Sequence, residues 1–115
     1  MTSTIRSVLD NPLIRVVKRD DQSGYYCLKL GVLETEIEIW LNVRPESRFT
    51  EFTQSHALKT PIQDAPYWTS RPWNDDPAAA LHQALGGLTQ QYEWAIDGGY
   101  PPSEDWLVLF NGAKV

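Results

Sequence analysis

Residues 33–43 read LETEIEIWLNV, and the alternation in them decides the fold. Leu33, Thr35, Ile37, Ile39, Leu41 and Val43 fall on one parity, and Glu34, Glu36, Glu38, Trp40 and Asn42 on the other. Successive side chains of a strand point to opposite faces, so a period of two marks a strand with one buried and one wet face. The wet face is an acidic ridge that carries a tryptophan.

Towards the N-terminus the same texture continues. The β-branched run LIRVVKR (13–19) and the run over 24–32, GYYCLKLGV, flank the turn cluster DDQSG, which is a hairpin signal. Tyr26, Leu28, Leu30 and Val32 would share the buried side, with Tyr25, Cys27 and Lys29 outside, and Gly31 suits a bulge or a tight turn. Before Asn11-Pro12 the chain has room for a short helix, with Ser3 as cap and Ile5, Val8 and Leu9 on one side.

Towards the C-terminus, residues 48–56 favour a strand over a helix because of their threonines and two phenylalanines. A connection over 60–76 is broken by prolines, and its length points to a loop that is functional or pinned by its own Tyr67, Trp68 and Trp73. Asp76 is a good N-cap and Pro77 a good first helical residue. Leu81, Ala84, Leu85, Leu88, Tyr92, Ala95 and Ile96 then recur at helical spacing, predicting an amphipathic helix over 77–97 that Gly98-Gly99 stops. WLVLF (106–110) reads as a closing strand that must pair with the sheet. Together these runs predict a single α+β domain over 1–115: an antiparallel sheet of four to five strands, the long helix on one face, and the short N-terminal helix.

A chain of 115 residues with 42% hydrophobic and 22% charged residues is long and apolar enough to bury a core. Its net charge of −5 disfavours nucleic acid and anionic membrane as partners and favours a basic protein. No stretch is apolar enough to span a bilayer or to serve as a secretory leader, and the single Cys27 excludes an internal disulfide framework; both point to the cytoplasm.

Catalytic and metal chemistry find little support in the residue pattern. Asp75 and Asp76 are neighbouring carboxylates, but helix capping accounts for Asp76 and Pro77, and no partner ligands are evident. His56 and His82 lack metal spacing, Cys27 has no defined base, and no phosphate loop, nucleophile elbow or dinucleotide fingerprint occurs. No cofactor is expected.

Surfaces carry more. Glu34, Glu36, Glu38 and Trp40, with Tyr25 from the neighbouring strand, form an acidic, aromatic platform suited to a basic protein. Trp94 projects from the polar side of the long helix, where either a loop folds over it or it anchors an interface. Arg71 lies between Trp68 and Trp73 and can stack on either ring. In size and charge alone, the chain resembles bacterial immunity proteins and other small inhibitors or adaptors.

The leading expectation is thus a non-catalytic protein-binding module, an inhibitor of a basic partner, acting through Glu34, Glu36, Glu38, Trp40 and Trp94. The alternative is a small-molecule site or a low-motif enzyme between sheet and helix, lined by Tyr67, Trp68, Arg71, Trp73 and His82. Homodimerisation through a sheet edge or the outer tryptophans is a third.

Overall fold

Strand character in the alternating run begins at Ile37, later than Leu33, where the pattern starts. The computed structural model describes residues 4–46 and 49–109. Its elements are α1 (Ile5–Leu9), β1 (Ile14–Asp20), β2 (Tyr25–Leu30), β3 (Ile37–Val43), β4 (Thr50–Gln54), β5 (His56–Leu58), β6 (Trp73–Asn74), α2 (Pro77–Asp97) and β7 (Leu107–Leu109). A 3-10 turn at Glu104–Trp106 precedes the last strand. Strands β1-β2-β3-β4-β6 form one antiparallel sheet in that order, and β5 pairs with β7 in a second, two-stranded sheet. The fold is α+β, with α2 packed over β3, β4, β5 and β6 and against α1.

Two local facts explain the late start of β3. Gly31 turns the chain with φ +56°, a dihedral that side chains resist, and a Cβ there would lie 2.3 Å from the Tyr92 hydroxyl. Strand β2 therefore ends at Leu30, and Val32, expected on the buried side, is 69% exposed. Beyond it the Glu104 carboxylate accepts hydrogen bonds from the backbone N–H groups of Glu34 (2.8 Å) and Thr35 (3.0 Å) and from the Thr35 hydroxyl (2.7 Å). Those donors are satisfied without a neighbouring strand.

Of the strand expected over 48–56, Thr50–Gln54 form β4 and the run divides at Ser55; Arg48 lies outside the described residues. The Ser55 N–H donates to the Glu38 carbonyl, and the Ser55 hydroxyl accepts the Glu38 N–H at 2.8 Å. A side chain thus stands where the ladder would call for a backbone carbonyl, and β5 leaves the main sheet to join β7. The closing strand expected over 106–110 consequently does not extend the main sheet. Trp106 is buried in the 3-10 turn, Leu107–Leu109 pair with β5, and Phe110 lies outside the described residues.

Helix α2 starts as its sequence dictates, the Asp76 carboxylate accepting the Ala79 N–H at 2.8 Å with Pro77 in the first turn. Leu81, Ala84, Leu85, Leu88, Tyr92 and Ala95 are buried in one core with Tyr26, Leu28, Leu30, Ile37, Ile39, Leu41 and Phe52 of the sheet. Burying each leucine stabilises the fold by about 1.5–3 kcal/mol. Ile96, expected on the same stripe, is 38% exposed, and Val43, at the far end of β3, is 56% exposed. In α1 the cap is Thr4, which exchanges hydrogen bonds with Ser7; Ser3 lies outside the described residues. Among the described residues no helix is long and apolar enough to cross a membrane.

The connection over 60–76 is not structureless. Strand β6 within it pairs with β4, placing Trp73 opposite Glu51. Gln83 of α2 then holds it from behind, donating to the Arg71 carbonyl at 2.9 Å and accepting from the Asn74 amide at 3.0 Å.

Candidate functional site

Helix α2 covers one face of the main sheet, and the strand register sets out the other. Across it run the rows Asp20, Tyr25, Trp40, Thr53, then Lys18, Cys27, Glu38, and then Asn42, Glu51, Trp73. All of these side chains are exposed or half-buried except Cys27. The side taken by Trp73 follows from its neighbours: Glu51 points out between buried Thr50 and Phe52, and Asn74 turns back to Gln83. Trp40 and Trp73 therefore share the open face. Two strand spacings and two residues separate them, about 12 Å between Cα atoms.

At the centre, the Tyr25 and Trp40 rings lie 6.1 Å apart at a 48° tilt, and Trp40 is 40% exposed. The Tyr25 hydroxyl donates to Glu38 Oε2 at 2.5 Å, and this bond, with desolvation, holds the phenol pKa well above its ordinary value. The phenol therefore stays a neutral donor. Lys18 Nζ sits 6.0 Å from the Tyr25 ring centroid.

The three glutamates do not act alike. Glu34 lies off the strand and is shared by Lys29 (3.0 Å) and Arg15 (3.3 Å), with Lys29 the larger cause of its lowered pKa. Among the described residues Glu36 and Glu38 have no cation within ion-pair distance. Glu36 accepts instead from the Cys27 thiol at 3.4 Å. Burial first, then Glu36, pushes the Cys27 pKa up, so it is a protonated packing residue and not an activated nucleophile.

Neither histidine is bonded to Cys27 among the described residues. His56 Nδ1 lies 2.8 Å from the Ser55 hydroxyl; burial lowers its pKa, against a smaller opposing effect of Glu38. His82 is exposed on α2. Among the described residues no three His, Cys, Asp or Glu side chains are grouped to hold a metal.

Among the described residues, Tyr67 and Trp68 line one hollow, Arg71 and Trp73 line another, and His82 lines neither. The Tyr67 ring lies against α2 at Gly87, where a Cβ would be 2.7 Å from its Cε2, and Trp68 meets Phe52 edge-on at 5.6 Å. The space between sheet and helix there, lined by Phe52, Gln54, Leu58, Tyr67, Trp68 and Gln83 among others, is about 10 Å³. That holds roughly one water, whereas small-molecule pockets begin near ~300 Å³. Arg71 and Trp73 face outward instead: the guanidinium lies 4.8 Å from the Trp73 ring centroid, and Phe49 packs on Trp73 at 4.7 Å.

Trp94 is 50% exposed on α2, two turns beyond the Gly87–Tyr67 contact. The proline-rich connection covers the helix at Gln83 and Gly87 and leaves Trp94 in solvent. Sequence reasoning passed over Phe49, Arg44 and Glu51, which border Trp73. Their signal is a pairing between β4 and a two-residue strand, and no local pattern announces it. No family model matches this chain, and neither the curated proteins nor the solved structures searched yield a match.

Proposed function

We propose that this chain is a protein-binding module that docks a partner with basic groups on the open face of its five-stranded sheet, as an inhibitor or adaptor would. The observation that carries this reading is the pairing of Trp40 with Tyr25 on the sheet face away from α2, beside two carboxylates, Glu36 and Glu38, that have no cation within ion-pair distance among the described residues. Tryptophan and tyrosine dominate hot spots because they bury a large rigid area at little conformational entropy. A guanidinium arriving at Glu38 would also find the Trp40 ring to stack on. The chain's net charge of −5 favours the encounter.

Partner capture from the source cells by covalent cross-linking tests the proposal. Trp40→Ala, and separately Glu36→Gln with Glu38→Gln, should each weaken capture of the recovered partner by roughly 30-fold or more, the equivalent of a ~2 kcal/mol hot spot, with an unchanged circular dichroism spectrum. Full recovery of the same partner by both folded variants would overturn it.

A further inference from the structure

The β6 edge of the same face has a character of its own. In a chain with fifteen acidic residues against ten basic ones, the Arg71 guanidinium has no carboxylate within ion-pair distance among the described residues. Arg15, Arg19 and Arg44 each have one, and Arg6 shares with Arg71 the lack of one among the described residues. Arg71 is instead held over the Trp73 ring, its guanidinium carbon 4.8 Å from the ring centroid, and the residue is exposed.

The backbone that presents Arg71 is fixed on several sides. The Arg71 N–H donates to the Thr69 hydroxyl at 3.1 Å, its carbonyl accepts from Gln83 Nε2 and from the Trp73 N–H, and the next carbonyl, that of Pro72, accepts the Phe52 N–H. The backbone beneath a long cationic side chain is thus fixed, and its head rests over the Trp73 ring, before any ligand arrives, which lowers the entropy lost on binding.

Two hollows flank Trp73. One, of about 330 Å³, is walled by Thr69, Arg71, Trp73, Asn74 and Gln83, and the other, of about 200 Å³, by Arg44, Phe49, Glu51 and Trp73. In the second, Arg44 is already neutralised by Glu51 at 3.0 Å, so its walls offer ring surface more than net charge. An extended chain crossing Trp73 would put residues i and i+2 on the same side, about 7 Å apart.

We infer that Arg71 and Trp73 form a carboxylate-reading subsite whose occupant is an acidic side chain on an extended peptide segment, with an apolar side chain two residues away seated against Phe49. The subsite stands whether or not Glu36 and Glu38 receive a basic partner, since it shares no side chain with them. A partner that uses both ends of the face would carry basic groups towards β3 and an acidic one towards β6.

The test is a titration of the intact ¹⁵N-labelled protein with the peptide N-acetyl-Phe-Ala-Asp-amide, following the Arg71 Nε–H and Trp73 indole N–H signals by nuclear magnetic resonance. The control peptide replaces Asp by Asn. Saturable shifts at both signals are expected for the Asp peptide, with an affinity in the millimolar range and roughly fivefold or more above that of the Asn peptide. Arg71→Gln, an exposed change that leaves the amide fingerprint intact, should abolish the difference between the peptides. The Glu36→Gln, Glu38→Gln protein should retain it, which separates this subsite from the acidic part of the face. Equal shifts with both peptides, a difference that survives Arg71→Gln, or no saturable shift at Arg71 would each overturn the inference.

Discussion

Single positions show where composition is dictated by contact. Gly86 and Gly87 are adjacent in the middle of α2, where glycine lowers helix stability, and no local signal distinguishes them. The structure does: a Cβ at Gly86 meets nothing within 4 Å, while one at Gly87 would press on the Tyr67 ring at 2.7 Å. Gly86→Ala should therefore raise stability by about 0.8–1 kcal/mol, the helix-propensity difference alone. Gly87→Ala should gain measurably less, because the ring has to shift; chemical denaturation of the two variants side by side reads the difference, and equal gains would mean that Tyr67 does not rest on the helix. Asp76 was legible as a cap because capping is a contact within one turn. The Tyr67–Gly87 contact spans twenty residues and leaves no periodic trace.

Among the elements, the residue pattern marks β1 to β4, the long helix and the closing strand, but neither β6 nor the points where pairing stops. The alternation of 33–43 extends back to Leu33, which is indeed buried, yet the ladder begins at Ile37. What fills the gap is Glu104, some 70 residues away, whose carboxylate takes the place of a neighbouring strand. Those bonds hold its pKa below the ordinary carboxylate range, the Glu34 N–H being the largest cause. Glu104→Ala should speed hydrogen exchange at the Glu34 and Thr35 amides while leaving the Ile39 amide in the β3 ladder protected, and should lower stability by roughly 1 kcal/mol. Unchanged exchange at both amides would show that the clamp contributes nothing. The departure of β5 at Ser55 was equally hidden: a serine hydroxyl replacing a carbonyl in the ladder looks, in sequence, like one more polar residue in a strand.

For the whole molecule, the sequence identified the layers but not the company each surface residue keeps. Trp40 and Trp73, thirty-three residues apart and read separately, meet on one sheet face only once β6 is seen to pair with β4. The acidic ridge, uniform as a string of letters, is divided by Arg15 of β1 and Lys29 of β2, which both reach Glu34. Charge also sets a pH response. His56 has a folded pKa below its ordinary 6.5 because it is partly buried, so the unfolded chain binds its proton more readily. Stability should be full above that value and fall as the pH drops through the folded one. The lowered carboxylates Asp20, Asp21, Glu34 and Glu104 lose their contribution in a separate, more acid range, below their ordinary values of 3.8 to 4.5. Thermal melts from about pH 8 to about pH 5 should show the histidine phase, and His56→Gln should flatten it without touching the acid phase; a slope unchanged by that substitution would remove His56 as its source.

Docking on the open sheet face can be read by hydroxyl-radical footprinting of the cross-linked complex against the free protein. Trp40, Trp73 and Trp94 are all solvent-accessible in the free chain and can be read as separate peptides by mass spectrometry. With the partner on that face, Trp40 and Trp73 should lose oxidation in the complex while Trp94 on α2 oxidises as before. Protection of Trp94 with Trp40 unchanged would contradict it and move the interface to the helix.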